Sequence, residues 1–187
     1  MNRSMLVWLH DNRSQCDVEA ELQPLADLHI DRANATWVPE FHRRRQLRIS
    51  DQDFLVWDWP STDKYLLAKN TVRDYVISCA GDVEGMMILQ EPEPSRLEVR
   101  ARVIYVRYLA TAPWNRPSFD QPGRYGRTGT LLLAQAVRES ISLGCEGRIG
   151  LHSLSESDAF YRKLRLDDFG PDPGNRGLTY FELGPAS

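Results

Sequence analysis

Gly123, Gly126 and Gly129 punctuate a loop that also carries Arg124 and Arg127 and runs straight into an amphipathic stretch. A helix start offers backbone N–H groups with no intrahelical partner, at the positive end of the helix dipole, so an anion is a natural guest there. Glycines let the main chain approach such a guest closely, and arginines add fixed charge with forked donors. A phosphate-bearing ligand is one reading; a turn that merely needs positive φ is the other. Two phosphate motifs are excluded by spacing. Gly129 is followed by Thr130-Leu131 rather than Lys and a hydroxyl residue, and the glycines are spaced G-x-x-G-x-x-G, not G-x-G-x-x-G.

The elements around this loop are legible from about residue 72 onward. Tyr75–Ala80 and Gly85–Gln90 are predicted antiparallel strands about a Gly81-Asp82 turn, with Glu91–Ser95 as a loop. Arg102–Thr111, β-branched and aromatic, is a strand ending before Pro113. Pro117–Tyr125 reads as a loop. Thr128–Leu143 is the clearest helix, with Leu132, Leu133, Ala136, Val137, Ile141 and Leu143 at helical spacing and Gly144 closing it. A short strand at Arg148–His152, a short helix at Ser155–Leu164 and a last strand at Leu178–Leu183 follow. The front seventy residues are less regular: a strand at Leu6–Leu9, a helix over Glu19–Ile30 bent or opened by Pro24, and a polar Asp31–Asp53 whose His42-Arg43-Arg44-Arg45 run reads as a solvated loop or helix face. The order of elements predicts a mixed α/β domain with the glycine loop in its middle.

The stretch from the third of these strands to the short helix resembles the GNAT acetyltransferase superfamily, with the likeness spanning about residues 72–183. Leu109-Ala110-Thr111-Ala112-Pro113-Trp114-Asn115-Arg116 is similar to the end of that family's fourth strand, L-x-V-x-P-x-x-R. Arg124-Tyr125-Gly126-Arg127-Thr128-Gly129 resembles its pyrophosphate loop, and Ala159–Leu166 its closing A-x-x-Y-x-x-x-G-F segment. Arg127 and Arg165 stand where the family has glycines, and Pro117–Gly123 lengthens the loop. The resemblance implies one GNAT-like domain over residues 1–187, variable over 1–70, with a central mixed, mainly antiparallel sheet flanked by helices. It implies acetyl-CoA as cofactor, held by Leu109, Ala110 and Thr111 through main chain and by Arg124, Tyr125, Gly126, Arg127, Thr128, Gly129 and Thr130. The implied reaction is acetyl transfer to a primary amine, of a small molecule or a protein, by direct attack in a ternary complex.

Such chemistry needs a base for the ammonium and an acid for the leaving thiolate. Tyr161 falls at the family's general-acid position. Many relatives use a strand glutamate as base, and Val103–Thr111 contains no carboxylate. Glu98, His152 and a water path remain open. Trp57, Asp58 and Trp59 are candidates to hold a cationic amine by charge and ring face, as is the Met86-Met87 pair for the acceptor pocket. The alternative is a silent acyl-CoA-binding regulatory domain, motivated by the missing strand carboxylate and Arg127.

Composition excludes other classes. The chain has 187 residues, 23 basic and 26 acidic, a net charge of −3 that argues against nucleic acid as a partner. No apolar run reaches the ~20 residues of a membrane span, and the N-terminus lacks a signal-peptide pattern. Cys16, Cys79 and Cys145 lack metal spacing, which points to reduced thiols and a cytoplasmic location. Transferases of this size often form homodimers, and no stretch here marks an interface.

Overall fold

The computed structural model describes residues 4–46, 71–116 and 122–186. The elements run β1 (Met5–Asp11), β2 (Cys16–Pro24), α1 (Asp27–Gln46), β3 (Thr71–Cys79), β4 (Asp82–Pro94), β5 (Arg102–Thr111), β6 (Tyr125–Gly126), α2 (Thr128–Ser142), β7 (Ile149–Ser153), α3 (Asp158–Lys163), β8 (Asp167–Asp172) and β9 (Leu178–Leu183). The strands hydrogen-bond in the order β6-β1-β2-β3-β4-β5-β7-β9-β8, mostly antiparallel, with β5 and β7 parallel. No helix among the described residues is long and apolar enough to cross a membrane.

Two compact units emerge, one of residues up to Met87 with Leu109–Leu132, the other of Ile88–Tyr108 with Leu133–Ser187. In the first, β1 and β2 form a hairpin whose inward residues alternate: Val7 and Leu9 on one strand and Ala20 and Leu22 on the other are buried, while Leu6, Trp8, Glu19 and Glu21 face out. That period of two corrects the helix expected over Glu19–Ile30. The helix begins instead at Asp27 and occupies much of the Asp31–Asp53 stretch. Its buried stripe is Ile30, Ala33, Trp37 and Phe41, four anchors on an otherwise polar helix interrupted by Pro39. The Trp37 indole donates to the Val83 carbonyl at 2.9 Å, which fixes α1 against β4. His42 and Arg43 are exposed, as a solvated helix face requires.

The β3–β4 turn is centred on Ala80-Gly81, one residue earlier than expected. Both have positive φ (50° and 85°), the conformation of the tight hairpin turn whose twist suits its strands. Strand β4 continues through Pro94, where a loop was expected; a strand end needs no further N–H donor, so proline is tolerated there. Met86 and Met87 are fully buried core residues.

In the second unit, β7 runs parallel to β5 over Ile104–Val106 and antiparallel to β9 over its full length. The α2 stripe is narrower than expected, because Ile141 and Leu143 are exposed. The helix closes with paired bonds, Cys145 N–H to Ser140 C=O and Gly144 N–H to Ile141 C=O, about a left-handed Gly144. Strand β8 was not expected. Its sequence, Asp-Asp-Phe-Gly-Pro-Asp, is mostly exposed and carries an irregularity between Asp168 and Pro171, so neither alternation nor β-branching signals it.

Helix α3 ends in the same pattern as α2, with Leu166 N–H bonded to Tyr161 C=O and Arg165 N–H to Arg162 C=O. Here the left-handed residue is Arg165, at φ 62°. A side chain in that region costs roughly 1–2 kcal/mol that glycine does not. Replacing the exposed Arg165 by glycine is therefore expected to raise stability by about 1 kcal/mol, a rise in Tm of about 2–4 °C by thermal denaturation.

Candidate functional site

The loop before α2 is fastened by its own main chain up to a definite residue and open after it. Arg124 N–H donates to the Trp114 carbonyl at 2.7 Å, Tyr125 N–H to Asn115 Oδ1 at 2.9 Å, and Asn12 N–H to the Arg124 carbonyl at 3.0 Å. Tyr125 and Gly126, expected within a loop, instead form β6 opposite Asp11 and His10 of β1. Arg127 then turns left-handed, at φ 70°, and its carbonyl accepts the first bond of the helix, from Leu131 N–H at 2.9 Å. The N–H groups of Thr128, Gly129 and Thr130 precede that bond, and no backbone acceptor outside the helix meets them among the described residues. Thr128 Oγ1 is buried, with no hydrogen-bond partner among the described residues.

Arg127 thus takes the backbone conformation that a glycine would supply. Its guanidinium bonds Asp17 Oδ2 at 2.9 Å, and the Asp17 carboxyl is held below its ordinary range by His10 and Arg127 together. Arg124 lies over the Tyr125 ring at 4.7 Å. Packing at Gly85 sets the approach of β4 to this place: a methyl there would lie 2.7 Å from Thr128 Cγ2 and 3.2 Å from the Ala110 carbonyl. Leu109, Ala110 and Thr111 end β5, which runs on for the five residues Arg107–Thr111 past its last ladder partner on β7, at Val106↔Leu151. In the first unit the structure therefore brings all ten predicted cofactor residues into the end of β5 and the α2 start. It offers the helix-start N–H groups, a buried hydroxyl and the Arg124 guanidinium, a set that suits a phosphate anion, while the Arg127 guanidinium is paired with Asp17.

The second unit contains the remaining described candidates, in two different settings. His152 on β7 is nearly buried. Its Nε2 lies 2.9 Å from Asp172 Oδ2 and its Nδ1 lies 2.7 Å from the Tyr105 hydroxyl. Arg96 and then His152 hold the Asp172 carboxyl well below the usual carboxylate range. An ionised carboxylate only accepts, so Nε2 carries the proton, and in the neutral ring Nδ1 then accepts from Tyr105. Burial pushes the Tyr105 phenol above its ordinary range. Tyr105 and Asp172 were not among the predicted site residues. Tyr105 occupies β5, where a glutamate was sought, and Asp172 sits on the unrecognised β8.

Glu98 is placed elsewhere, in the turn between β4 and β5, half exposed and paired with Arg148 at 2.6 Å. Tyr161 is buried in α3, its ring 5.1 Å from Phe160 and 5.5 Å from Phe181. Trp57, Asp58 and Trp59 lie outside the described residues, as do Pro117–Gln121 of the lengthened loop.

No family model matches the chain, and no curated protein matches it. Solved structures do. PaiA N-acetyltransferase from Thermoplasma acidophilum, in complex with coenzyme A, is 13% identical over 89% of this chain and 99% of its own, with a TM-score of 0.60. A GNAT family acetyltransferase from Brucella melitensis in complex with acetyl-CoA is 12% identical, covers 90% of this chain and 89% of its own, and gives 0.54. Arabidopsis thaliana Naa50, with the bisubstrate analogue CoA-Ac-MVNAL, is 13% identical over 89% and 99% and gives 0.53. At these identities the likeness is one of fold: the chain has the GNAT acetyltransferase fold.

Asp172 yields a prediction whose sign follows from its depressed pKa. Such a group contributes stability above its unfolded pKa, near 3.8, and loses it as pH falls through the folded value. Asp172→Asn is expected to be less stable than wild type at pH 7, with the difference shrinking as pH drops below about 4. Urea unfolding at a series of pH values measures it; a constant difference would mean that the carboxylate charge is not what Arg96 and His152 hold.

Proposed function

We propose that this protein is an acetyl-CoA-dependent acetyltransferase acting on a primary amine, of a small molecule or of a protein. The observation that carries the proposal is the α2 start: open N–H groups at Thr128–Thr130 behind a left-handed Arg127, in a chain with the GNAT fold. Acetyl-CoA as substrate supplies the thioester. Its pyrophosphate suits the N–H groups of Thr128, Gly129 and Thr130 with Arg124 and Arg127, and the main chain of Leu109–Thr111 suits the pantetheine arm. Neighbours of the same fold are known with coenzyme A, acetyl-CoA and a bisubstrate analogue, which supports this ligand class.

In this reading an alkylammonium, with a pKa near ~10, first loses a proton. Within the second unit, Tyr105 is able to pass its hydroxyl proton to His152 Nδ1 as it accepts another, with the resulting imidazolium stabilised by Asp172. The free amine attacks the thioester carbonyl, the C–N bond forms, and the C–S bond breaks. The leaving thiolate takes a proton from Tyr161, and the proton shed by the amide nitrogen restores the phenol. In this reading His152, through Tyr105, is favoured over Glu98 as the base, because the Glu98 carboxylate is paired with Arg148. Three free cysteines are consistent with a cytoplasmic setting.

Calorimetric titration with acetyl-CoA is expected to show saturable binding, lost in Gly129→Leu, which puts a bulky side chain at the helix start. With an amine panel, Tyr161→Phe and His152→Gln are each expected to lower kcat by about 10²–10⁴-fold with little change in acetyl-CoA affinity. Folded protein that binds no acetyl-CoA at millimolar concentration would overturn the proposal; tight binding with no thiol release from any amine would favour a silent acyl-CoA-binding domain.

A further inference from the structure

Glu84, on β4, is fully buried, and none of the roles above uses it. Its Oε2 accepts two hydrogen bonds, from Trp114 Nε1 at 2.8 Å and Asn115 Nδ2 at 2.7 Å. Its Oε1 is buried and has no hydrogen-bond partner among the described residues. The Glu84 main-chain carbonyl accepts from Ala112 N–H at 2.9 Å and from the Asn115 amide at 3.2 Å. The Asn115 amide cannot be reversed, since its nitrogen donates to Glu84 while its oxygen accepts from Tyr125 N–H. Trp114 serves twice, its indole bonding Glu84 and its carbonyl accepting Arg124 N–H. Among the described residues, the hydrogen bonds from the segment after β5 to Arg124 and Tyr125 thus run through Trp114 and Asn115, the two residues that Glu84 holds.

We propose that Glu84 is the positioning residue of the anion-binding loop, that it acts as a neutral carboxylic acid, and that its ionisation weakens acetyl-CoA binding. The proposal rests on the acetyl-CoA reading above. As an acid, Glu84 presents a carbonyl oxygen to the two N–H donors and places no charge in the interior. As a carboxylate it would bury a charge with one oxygen bare, at a cost that only a cation or water could offset. The cation whose charge reaches it is Arg124, a loop residue, and an anionic Glu84 would cancel that charge where a pyrophosphate binds.

The groups around it leave the titration to Glu84. Burial pushes its carboxyl up, against the donors Trp114 and Asn115 and the charge of Arg124, while Asp82 on the same strand pushes it further up. Asp82 is itself bonded by Arg32 of α1. Cys79 of β3 and Tyr125 of β6 face the cluster too, and burial raises both above already alkaline values. A carboxyl raised in this way favours the folded state below its ordinary pKa and loses that contribution as pH rises through the folded value.

The test is acetyl-CoA affinity by calorimetry from about pH 5 to pH 9, in wild type and Glu84→Gln. Wild-type affinity is expected to fall with rising pH by up to about tenfold per unit, the limit for one coupled proton. Glu84→Gln keeps a carbonyl for Trp114 and Asn115 but cannot ionise, so its profile is expected to lack that fall. Titration of the ligand's own phosphate is common to both proteins, so the difference between them is the readout. Trp114→Phe removes a donor that favours the carboxylate and should move the fall to higher pH. Infrared titration adds a direct view: a protonated-carboxyl band that is absent in Glu84→Gln. Identical slopes in wild type and Glu84→Gln would overturn the proposal, as would an infrared spectrum in which Glu84 is ionised at every pH. Wild type that binds no acetyl-CoA at any pH would instead sink the acetyl-CoA reading, with the infrared band still deciding whether Glu84 is neutral.

Discussion

The chain around Arg127 divides its main-chain N–H groups into two sets, and the rest of the site follows from that division. Before Arg127 the groups are committed: Arg124 to Trp114, Tyr125 to Asn115, and β6 to β1. After Arg127 they are not, because a helix cannot satisfy its own first turn. A loop fastened only by side chains would let the open donors wander. Here the backbone of one strand edge and one tight turn holds them in a fixed array, which is what preorganised recognition of an anion requires.

Two fully buried glutamates show how differently a fold can treat the same side chain. Glu182, on β9, is surrounded by donors: the Ser95 hydroxyl, the N–H groups of Arg96 and Leu97, and the Tyr180 hydroxyl at 3.0 Å. Both of its oxygens are engaged, and it pins the turn between β4 and β5. Such a carboxyl serves architecture, and its environment is complete. Glu84 has both of its side-chain donors on one oxygen and none on the other. The contrast lies in satisfaction rather than in burial, which is why only one of the two invites a functional reading.

Much of this was legible in the sequence wherever local chemistry and tertiary role coincide. The α2 helix, its glycine stop and the β5 strand were read at nearly their observed bounds, because periodicity and turn residues act locally. The β2 strand was misread because Glu19-Ala20-Glu21-Leu22 carries only two inward side chains, too few to separate a period of two from one of 3.6. Helix α1 was obscured by Pro39 and by a polar face broader than its four anchors. Arg127 and Arg165 looked like departures from a glycine pattern, yet both adopt the left-handed backbone the pattern calls for; a residue's type reports its preference, and the surrounding bonds decide its conformation. The Tyr105–His152–Asp172 chain could not be seen, since it joins residues 47 and 20 positions apart through three strands.

The ends of the strand order carry a consequence for how copies of this chain meet. At one end stands β6, two residues long. At the other stands β8, with Asp167, Asp168, Gly170, Pro171 and Asp172 and an irregular register against β9. A further strand needs a run of straight, uncharged, donor-bearing backbone to dock on, and β8 does not provide one, whereas β6 pairs with only His10 and Asp11 of β1. Growth of the sheet from molecule to molecule, the usual route from a β-rich chain to a fibre, is opposed at the β8 end by sequence.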